Sequence, residues 1–327
     1  MWTRRALVLA LPVFAIVAAC KGKREESPVA AVGSKAEPAP FTLVLNWVPE
    51  PEFGGFYAAK ASEAYAREGL AVSIKPGGPG VPALQMVAAG QAQAGITGAD
   101  ELLLAREQGV DVVPVFAVYQ HNPQAIMTKA ERGAKSLAEV FAAGTVALEP
   151  GLPYAQFLKR KYGFENVKVV PYDGGIARLS IEKDFAQQCY LTSEPLAAKR
   201  QGVATSVFPI SNEGYDPYGA VVVVSRETWT KKRPLVEAFV RATRAGWQNY
   251  QKDPKAANEA MHALNKTMDL ETFAGAAEAQ HALVETHETE GDKVGTMTKA
   301  RWEALRTTLS ELGLVTKPTS FEGWPVD

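Results

Sequence analysis

Residues 41–75, FTLVLNWVPEPEFGGFYAAKASEAYAREGLAVSIK, set the pattern on which the fold prediction rests. The apolar run at 41–46 predicts a strand, and residues 53–68 predict a helix with small apolar residues on one face, ending near Gly69. Residues 70–75 predict a second strand. Strands that alternate with helices of this length predict a mainly parallel sheet covered on both faces.

The same alternation runs on to residue 118 and restarts after residue 130. Near the end of this region, residues 218–225, YGAVVVVS, are strongly β-branched and predict one more strand. From residue 228 onward the pattern is almost wholly helical. We therefore predict an α/β fold of two lobes, each a mainly parallel sheet flanked by helices, with a helical C-terminal segment.

The chain of a two-lobed protein of this size often crosses between its lobes twice. Residues 128–135 and 209–219 are poor in apolar periodicity, so we predict the crossovers there. Lobe 1 would then be built from 41–127 plus 220–327, and lobe 2 from 136–208. A cleft between such lobes, lined by the carboxyl ends of strands and the amino ends of helices, is the predicted ligand site.

The N-terminus has the order of an exported lipoprotein. Arg4 and Arg5 precede an uncharged apolar run at 6–19, and small residues lead to Cys20. The run of about 14 residues is short of the ~20 that span a bilayer, which argues against an uncleaved anchor. We predict a signal peptide at 1–19 and lipid on Cys20, which would hold the protein at the cell envelope, facing the periplasm or the cell exterior.

Composition limits the remaining possibilities. Residues 21–40, KGKREESPVAAVGSKAEPAP, lack aromatic residues and apolar periodicity, so we predict a disordered tether over 20–40. The formal charge of -1 gives no indication of a nucleic-acid partner. If Cys20 carries lipid, Cys189 has no partner for a disulfide and is predicted to be a buried small apolar residue.

Several blocks of the chain resemble a known family. The segment LNWVPEPEFGGFYAAKASEAYAREGLAVSI resembles the opening of periplasmic substrate-binding proteins for thiamine pyrimidine precursors and of their alkanesulfonate- and riboflavin-binding relatives. The agreement continues through PGGPGVPALQMVAAGQAQAGITGADELLLAR, VYQHNPQAIM, LEPGLPYAQFLKRKYG, QQCYLTSEPLAAKRQG and GYDPYGAVVVVS. The resemblance implies a type II periplasmic-binding-protein fold that closes on its ligand and delivers it to a membrane ABC transporter permease. We expect a monomer.

Candidate ligand-binding residues follow the first strand. Asn46 and Trp47 stand at its carboxyl end, where Trp47 offers a flat face to an aromatic ring. Glu50 and Glu52 could accept hydrogen bonds from ligand amino groups, or form a solvated rim. Family members that bind thiamine precursors often carry a histidine near this point, whereas this chain has Phe53.

Two predicted helix starts add further candidates. Gly78 lies in a glycine-rich turn before a helix, where backbone N–H groups attract polar or anionic atoms, although a simple tight turn is the alternative. Thr97 and Asp100 open another helix, where capping is the alternative to a ligand contact.

The resemblance places further candidates on the cleft floor and the opposite wall. Tyr119 and Gln120 lie near the first crossing, and Tyr154 could form the wall opposite Trp47. Glu194 would pair with the amino and ring nitrogens of a heterocycle. Two tyrosines at the second crossing could supply a hydroxyl, Tyr215 and Tyr218.

These residues favour capture of a small planar nitrogen heterocycle, a thiamine pyrimidine precursor or a related molecule. Riboflavin and an alkanesulfonate are the alternatives, although a sulfonate would want an Arg or Lys aimed into the cleft. The four histidines show no metal-ligand spacing, so we predict neither a metal nor a cofactor. An enzyme of pyrimidine synthesis on the same fold is the alternative of another class. It would use a lysine-bound pyridoxal phosphate, for which Lys60 is nearest, but its cysteine-rich cluster is absent, and we predict no enzyme.

Overall fold

The computed structural model describes residues 37–327. The predicted signal peptide at 1–19, the lipidation site Cys20 and most of the predicted tether lie outside the described residues. The first strand begins at Ala39, which pairs with Leu70. The last two residues assigned to the tether are therefore part of the sheet, because backbone pairing extends the strand beyond the apolar run that marks its centre.

Lobe 1 is built on a five-stranded sheet in the order β2-β1-β3-β10-β4. The first three of these strands are mutually parallel, and β10 lies antiparallel between β3 and β4. This sheet therefore takes one of its inner strands from the part of the chain that follows the second lobe. Its strands are β1 (Ala39–Val44), β2 (Leu70–Lys75), β3 (Ala94–Thr97), β4 (Val112–Tyr119) and β10 (Gly219–Ser225).

Lobe 2 is built on a second five-stranded sheet, in the order β7-β6-β8-β5-β9. Strand β6 is parallel to β7 and β8, whereas β5 runs antiparallel to β8 and β9. The predicted fold class, two mainly parallel sheets flanked by helices, is confirmed. The strands are β5 (Gln124–Lys129), β6 (Thr145–Leu148), β7 (Lys168–Pro171), β8 (Phe185–Tyr190) and β9 (Thr205–Pro209).

The position of β5 moves the first crossing. This strand pairs on both sides within lobe 2, and Ala125, Ile126 and Met127 are fully buried there. The chain therefore passes between the sheets at residues 120–123, not at the predicted 128–135. Only three consecutive apolar residues mark β5, which is too short a run to reveal a central strand by periodicity.

Helices cover both sheets. Lobe 1 carries α1 (Gly54–Ala61), α2 (Ala64–Arg67), α3 (Ala83–Ala88) and α4 (Ala99–Glu107). Lobe 2 carries α5 (Leu137–Val140), α6 (Pro153–Tyr162), α7 (Ala177–Ile181) and α8 (Glu194–Arg200). The C-terminal segment adds α9 (Arg226–Lys231), α10 (Arg233–Lys252), α11 (Lys255–Leu264), α12 (Leu270–Ala279), α13 (His281–Val284) and α14 (Lys299–Glu311).

The helix predicted over 53–68 is divided into α1 and α2 by Glu63, which has a positive φ of 57°. Helix α1 packs closely on α10 because glycines face each other there. A Cβ added to Gly246 would lie 2.2 Å from the carbonyl oxygen of Gly55. This contact fixes the start of α1, and with it the end of the loop that carries Trp47.

The two crossings are tied together by Asp216. Its carboxylate accepts a hydrogen bond from the backbone N–H of Asn122 over 2.7 Å and contacts His121 over 2.8 Å. Arg301 of α14 donates to the carbonyl oxygens of Gln120 and Asp216. Asp216 and Arg301 therefore hold the two crossings together, and Arg301 attaches both of them to lobe 1.

Cys189 is 1% exposed and its thiol is free, as predicted for a small apolar residue. It packs in the core of lobe 2 with Phe185 and Met127. Within residues 37–327, no helix is both long and apolar enough to cross a bilayer.

Candidate functional site

A cavity of about 560 Å³ lies between the two lobes. Both sheets and the second crossing contribute to its walls, as expected for the cleft of a two-lobed α/β protein. The polar and aromatic residues that line it are Asn46, Trp47, Glu52, Gln85, Thr97, Asp100, Glu101, Gln108, Asn122, Gln124, Glu149, Tyr154, Tyr190 and Tyr215.

The cavity brings together much of the predicted set. Residues of the lobe 1 wall are joined by one from α6 of lobe 2 and one from the second crossing. The predicted residues that line the cavity are Asn46, Trp47, Gly78, Thr97, Asp100, Tyr154 and Tyr215.

Trp47 is 41% exposed, which is unusual for so large an apolar side chain and places its ring within reach of a ligand. The glycine-rich turn before α3 supports its loop. The N–H of Gly77 donates to the carbonyl oxygen of Trp47 over 3.0 Å, and a Cβ at Gly77 would lie 2.2 Å from the carbonyl oxygen of Leu45. This turn is therefore a close backbone contact that fixes the Trp47 loop, and Gly78 beside it lines the cavity.

The start of α4 forms another part of the wall. Glu101 caps this helix, since its carboxylate accepts hydrogen bonds from the Gly98 N–H over 2.9 Å and from the Thr97 hydroxyl over 3.1 Å. Asp100 is left to accept a hydrogen bond from the Tyr215 hydroxyl over 2.6 Å. Burial, with a contribution from Glu101, raises the pKa of Asp100 to about 6.

Three more carboxyl groups come together beside the cavity, Glu50 and Glu52 from lobe 1 and Glu194 from lobe 2. Burial and the charge of Glu194 raise the pKa of Glu50 to about 7, and the nearby Trp47 side chain offsets part of the rise. Burial, with the charges of Glu50 and Glu194, raises the pKa of Glu52 to about 8. Both side chains are only partly exposed.

Glu194 stands at the start of α8, where its carboxylate is held in place. It accepts hydrogen bonds from the Tyr172 hydroxyl and, over 2.8 Å, from the backbone N–H of Tyr190. Burial still raises its pKa above the ordinary value. Glu52 lines the cavity, whereas Glu194 and Glu50 do not. The charges of these two neighbours oppose the ionisation of Glu52.

The cavity wall carries acidic residues without basic ones. Glu52, Asp100, Glu101 and Glu149 all line it, and in the described part of the chain no Lys, Arg or His does. Carboxylates in such a cleft accept hydrogen bonds from N–H groups and attract cations, and they repel anions.

Tyr154 of α6 is held on the lobe 2 wall by a hydrogen-bond network. Its hydroxyl donates to the side-chain oxygen of Gln188 and accepts from the backbone N–H of Glu149 over 3.1 Å. The amide of Gln188 donates in turn to the Glu149 carboxylate over 2.6 Å. Tyr154 is 4% exposed, so the ring is a fixed part of the wall.

Besides Glu50 and Glu194, three more of the predicted residues lie outside the cavity lining, and their side chains contact lobe 1. The Tyr119 hydroxyl donates to the Gln280 side chain over 2.8 Å, and the Gln120 amide donates to the carbonyl oxygen of Thr296 over 3.1 Å. The Tyr218 hydroxyl accepts from the N–H of Thr298 over 3.0 Å. These hydrogen bonds tie Tyr119, Gln120 and Tyr218 to the C-terminal part of lobe 1 beneath the cleft.

Several lining residues were not among the predicted site residues, above all Gln124 and Tyr190. The two are directly opposite each other on β5 and β8, so their side chains share one face of the sheet. Burial raises the pKa of Tyr190 well above its usual value, with contributions from Glu52 and Glu101. Tyr190 lies at the carboxyl end of a predicted strand, a signal that could have identified it, whereas Gln124 lies on the strand that periodicity did not reveal.

Lys60, the lysine that a pyridoxal-phosphate enzyme on this fold would use, lies away from the cavity. Lys60 is exposed on α1 and is not among the residues that line the cavity. Over residues 37–327, no three or more His, Cys, Asp or Glu side chains are grouped so that they could hold a metal ion.

Comparisons with known proteins agree with this architecture. The model of the NMT1/THI5-like family matches residues 50–257, more than half of the chain. The riboflavin-binding protein RibY of Chloroflexus aurantiacus is 26% identical over 284 residues, which cover 79% of this chain and 77% of RibY.

Solved structures share the fold. The aliphatic sulphonate binding protein SsuA of Escherichia coli superposes with a TM-score of 0.68 at 13% identity, over 89% of this chain and 96% of SsuA. The desulfurization enzyme DszB superposes with a TM-score of 0.57 at 14% identity, over 87% of this chain and 96% of DszB. At this identity the likeness shows the fold alone, which accommodates both binding proteins and an enzyme.

Proposed function

Because the chain belongs to the NMT1/THI5-like family, we propose that it is the solute-binding component of an ABC-type import system. It captures a small planar nitrogen heterocycle in the cavity between its lobes and delivers this ligand to a membrane permease. The observation that carries the choice of ligand is the cavity wall, which combines aromatic rings with carboxylates and has no basic side chain among the described residues.

The aromatic residues favour a planar ligand. Trp47 presents a partly exposed ring from lobe 1, and Tyr154 and Tyr190 contribute rings from lobe 2. Aromatic pairs gain ~0.5–1.5 kcal/mol beyond the burial of their area when they adopt stacked or edge-on geometries. A flat ring between the lobes would contact both walls and so stabilise the closed arrangement.

The charges favour a ligand with N–H donors. Carboxylates accept charge-assisted hydrogen bonds from amino groups and protonated ring nitrogens, and the proposed acceptors are Glu52, which lines the cavity, and its neighbour Glu194. A simple alkanesulfonate has only acceptor oxygens and a negative charge, so the acidic wall opposes its binding. An aminopyrimidine of the thiamine-precursor type satisfies both the rings and the carboxylates.

Riboflavin is the second candidate, favoured by the similarity to RibY over 79% of this chain. Its flavin ring is planar and carries both an N–H group and carbonyl acceptors. Its larger ring system would need more of the cavity of about 560 Å³ than a pyrimidine does.

The proposal includes the location at the cell envelope that the N-terminal sequence predicts. Export followed by lipid attachment at Cys20 would keep the protein at the cell envelope beside its permease. Binding without chemical conversion fits the cavity, where neither lysine nor histidine is available among the described lining residues for covalent chemistry.

A thermal-shift screen of the purified protein tests the proposal. Riboflavin, an aminopyrimidine thiamine precursor and ethanesulfonate would each be added over a range of concentrations. A ligand at 100 times its dissociation constant adds ~2.7 kcal/mol to the free energy of unfolding. We expect the heterocycles to raise the unfolding temperature and ethanesulfonate to leave it unchanged, and a response to ethanesulfonate alone would overturn the proposed ligand class.

A further inference from the structure

Gln124 is a buried polar residue with a side-chain amide nitrogen left unsatisfied by the described part of the chain. It opens β5, lines the cavity and is 9% exposed. Its amide nitrogen Nε2 is buried without a hydrogen-bond partner among the described residues. Because buried amides are almost always paired in native proteins, this one requires an explanation.

Two other glutamines of lobe 2 show how buried amides are ordinarily satisfied. Gln187, 1% exposed on β8, donates from Nε2 to the carbonyl oxygen of Gly175 over 2.8 Å. Gln188 bonds Tyr154 and Glu149 through its two ends. Gln187 does not line the cavity, whereas Gln124 does. Among these three glutamines of lobe 2, the one with the unpaired Nε2 is therefore the one that lines the cavity.

A second unpaired amide lies on the opposite lobe. Asn46 follows β1, lines the cavity and has a buried Oδ1 without a hydrogen-bond partner among residues 37–327. The terminal amides of Asn and Gln rotate easily about their last bond, so each can turn either its N–H₂ or its oxygen toward a molecule in the cavity.

From these two amides we infer that Gln124 is a specificity-determining residue. Together with Asn46 it forms hydrogen bonds with an edge of the ligand that carries an acceptor atom next to an N–H group. An amide presents a donor and an acceptor next to each other, so its complement is an amide, imide or amidine edge, as when Gln pairs with the edge of adenine. The inference rests on the proposed function and narrows its ligand class.

This assignment separates the candidate ligands by their hydrogen-bonding edges. An aminopyrimidine carries a ring nitrogen next to an amino group, and riboflavin carries an imide. A sulfonate has acceptors without an N–H group, so it would leave the oxygen of each amide unpaired. Tyr190 lies directly opposite Gln124 on β8, so its side chain would contact the same edge of the ligand.

The test compares Gln124→Met with the matched control Gln187→Met. Methionine keeps the length of glutamine and removes its polar atoms. Removing an unpaired buried amide relieves a desolvation cost, so we expect the ligand-free Gln124→Met protein to unfold about 2–4 °C higher than wild type. Gln187→Met leaves the Gly175 carbonyl without its donor, so we expect that variant to unfold at a lower temperature than wild type.

Binding of riboflavin and of the aminopyrimidine, measured by calorimetry, supplies the second readout. For whichever of the two probes binds wild type more tightly, we expect Gln124→Met to raise the dissociation constant tenfold or more. We expect Gln187→Met to leave this dissociation constant unchanged. Gln124→Glu, which keeps an acceptor but loses the N–H₂ donor, provides a second variant at this position. We expect Gln124→Glu also to raise the dissociation constant of this probe tenfold or more, because the acceptor atom of the ligand then faces a carboxylate.

The inference is overturned if Gln124→Met lowers the unfolding temperature as the control does, or if wild type binds a heterocycle and both Gln124 variants bind it equally well. Failure of wild type to bind either heterocycle would instead overturn the proposed function, and with it the ligand edge assigned to Gln124. The wild-type titration therefore distinguishes the two failures.

Discussion

The hydroxyl of Tyr215 donates a hydrogen bond to the Asp100 carboxylate over 2.6 Å, joining the second crossing to the first turn of α4. Tyr215 is 2% exposed, and both residues line the cavity. The second crossing connects the two lobes, whereas α4 belongs to lobe 1. This hydrogen bond therefore couples the position of the crossing to the charge of one wall of the site.

Replacing Tyr215 should change the titration of Asp100. The Tyr215 hydrogen bond lowers the pKa of Asp100 against the larger effect of burial, so Tyr215→Phe should raise that pKa above about 6. NMR titration of the aspartate carboxyl carbons in ligand-free protein would measure it. Tyr218→Phe is the control, since its hydroxyl contacts Thr298 and should leave Asp100 unchanged. An unchanged Asp100 titration in Tyr215→Phe would contradict the coupling.

Removing the exposed indole should weaken ligand binding. We expect Trp47→Ala to raise the dissociation constant of the bound heterocycle tenfold or more, equivalent to about 1.4 kcal/mol, because the ring loses a stacking face. Isothermal calorimetry measures the effect. Ile181→Ala removes a side chain that is 80% exposed and does not line the cavity, so it should bind as wild type does. Equal affinities in the two variants would exclude Trp47 from the site.

Neutralising a carboxylate on the other lobe should have a similar effect. Glu194→Gln keeps an acceptor for the Tyr190 N–H but removes the negative charge that would pair with ligand N–H groups. We expect at least a tenfold loss of affinity, about 1.4 kcal/mol. Glu182→Gln is the control, because that carboxylate pairs with Arg178 away from the cavity. Unchanged affinity in Glu194→Gln, or an equal loss in Glu182→Gln, would contradict the role of Glu194.

The acidic cluster should make the ligand-free protein less stable as the pH rises. The pKa of Glu50 is raised from 4.5 to about 7 and that of Glu52 from 4.5 to about 8, so the folded state holds protons that the unfolded state releases. The free energy of unfolding therefore falls between about pH 5 and pH 8. We expect a loss on the order of 1–2 kcal/mol, below the full linkage value because both side chains are partly exposed.

Urea unfolding at several pH values would measure this slope. Glu52→Gln should flatten it, because the group with the larger rise in pKa no longer titrates. Glu107→Gln is the control, since the pKa of that carboxyl is lowered and it lies on the surface. A slope that persists unchanged in Glu52→Gln would show that the cluster is not its source.

The glycine contact between α1 and α10 should tolerate no side chain. Gly246→Ala would place a methyl carbon 2.2 Å from the Gly55 oxygen, so the helices must separate, and we expect a loss of about 1–3 kcal/mol. Gly275→Ala on α12 is the control. Its Cβ would meet only Leu196 at 3.8 Å, and alanine favours the helix by about 1 kcal/mol. Thermal unfolding distinguishes the two, and equal stability would disprove the close packing.

Local pattern predicted most strands and helices to within a few residues, because alternation and helix breakers act over short distances. Strand β2, predicted at 70–75, has those bounds in the structure. Strand β5 was not predicted, because its apolar run is short and because it pairs with β8 and β9, which are distant in the sequence. The close approach of α1 to α10 likewise depends on Gly246, far along the chain from Gly55.

Among the site residues, too, some follow from local sequence and others depend on distant parts of the chain. Trp47 and Asp100 follow strands that end at the cleft, so position along the chain identified them. Tyr119 also ends a strand, but its hydroxyl bonds Gln280, 161 residues away, and no local signal reveals that partner. Gln124 is identified by the lack of a partner for its amide, which only the packed structure shows.

The place of β10 in the lobe 1 sheet governs the order in which the chain can fold. A growing chain leaves the ribosome from its N-terminus, and β10 is made about a hundred residues after β4, the strand it must pair with. Until residues 219–225 appear, β3 and β4 lack their shared neighbour, whereas lobe 2 already has all its strands. Lobe 2 can therefore assemble first, and lobe 1 completes its sheet only late in synthesis. Such non-local pairing slows folding, and under the proposed export it would lengthen the time during which the chain can still pass unfolded through a translocation pore.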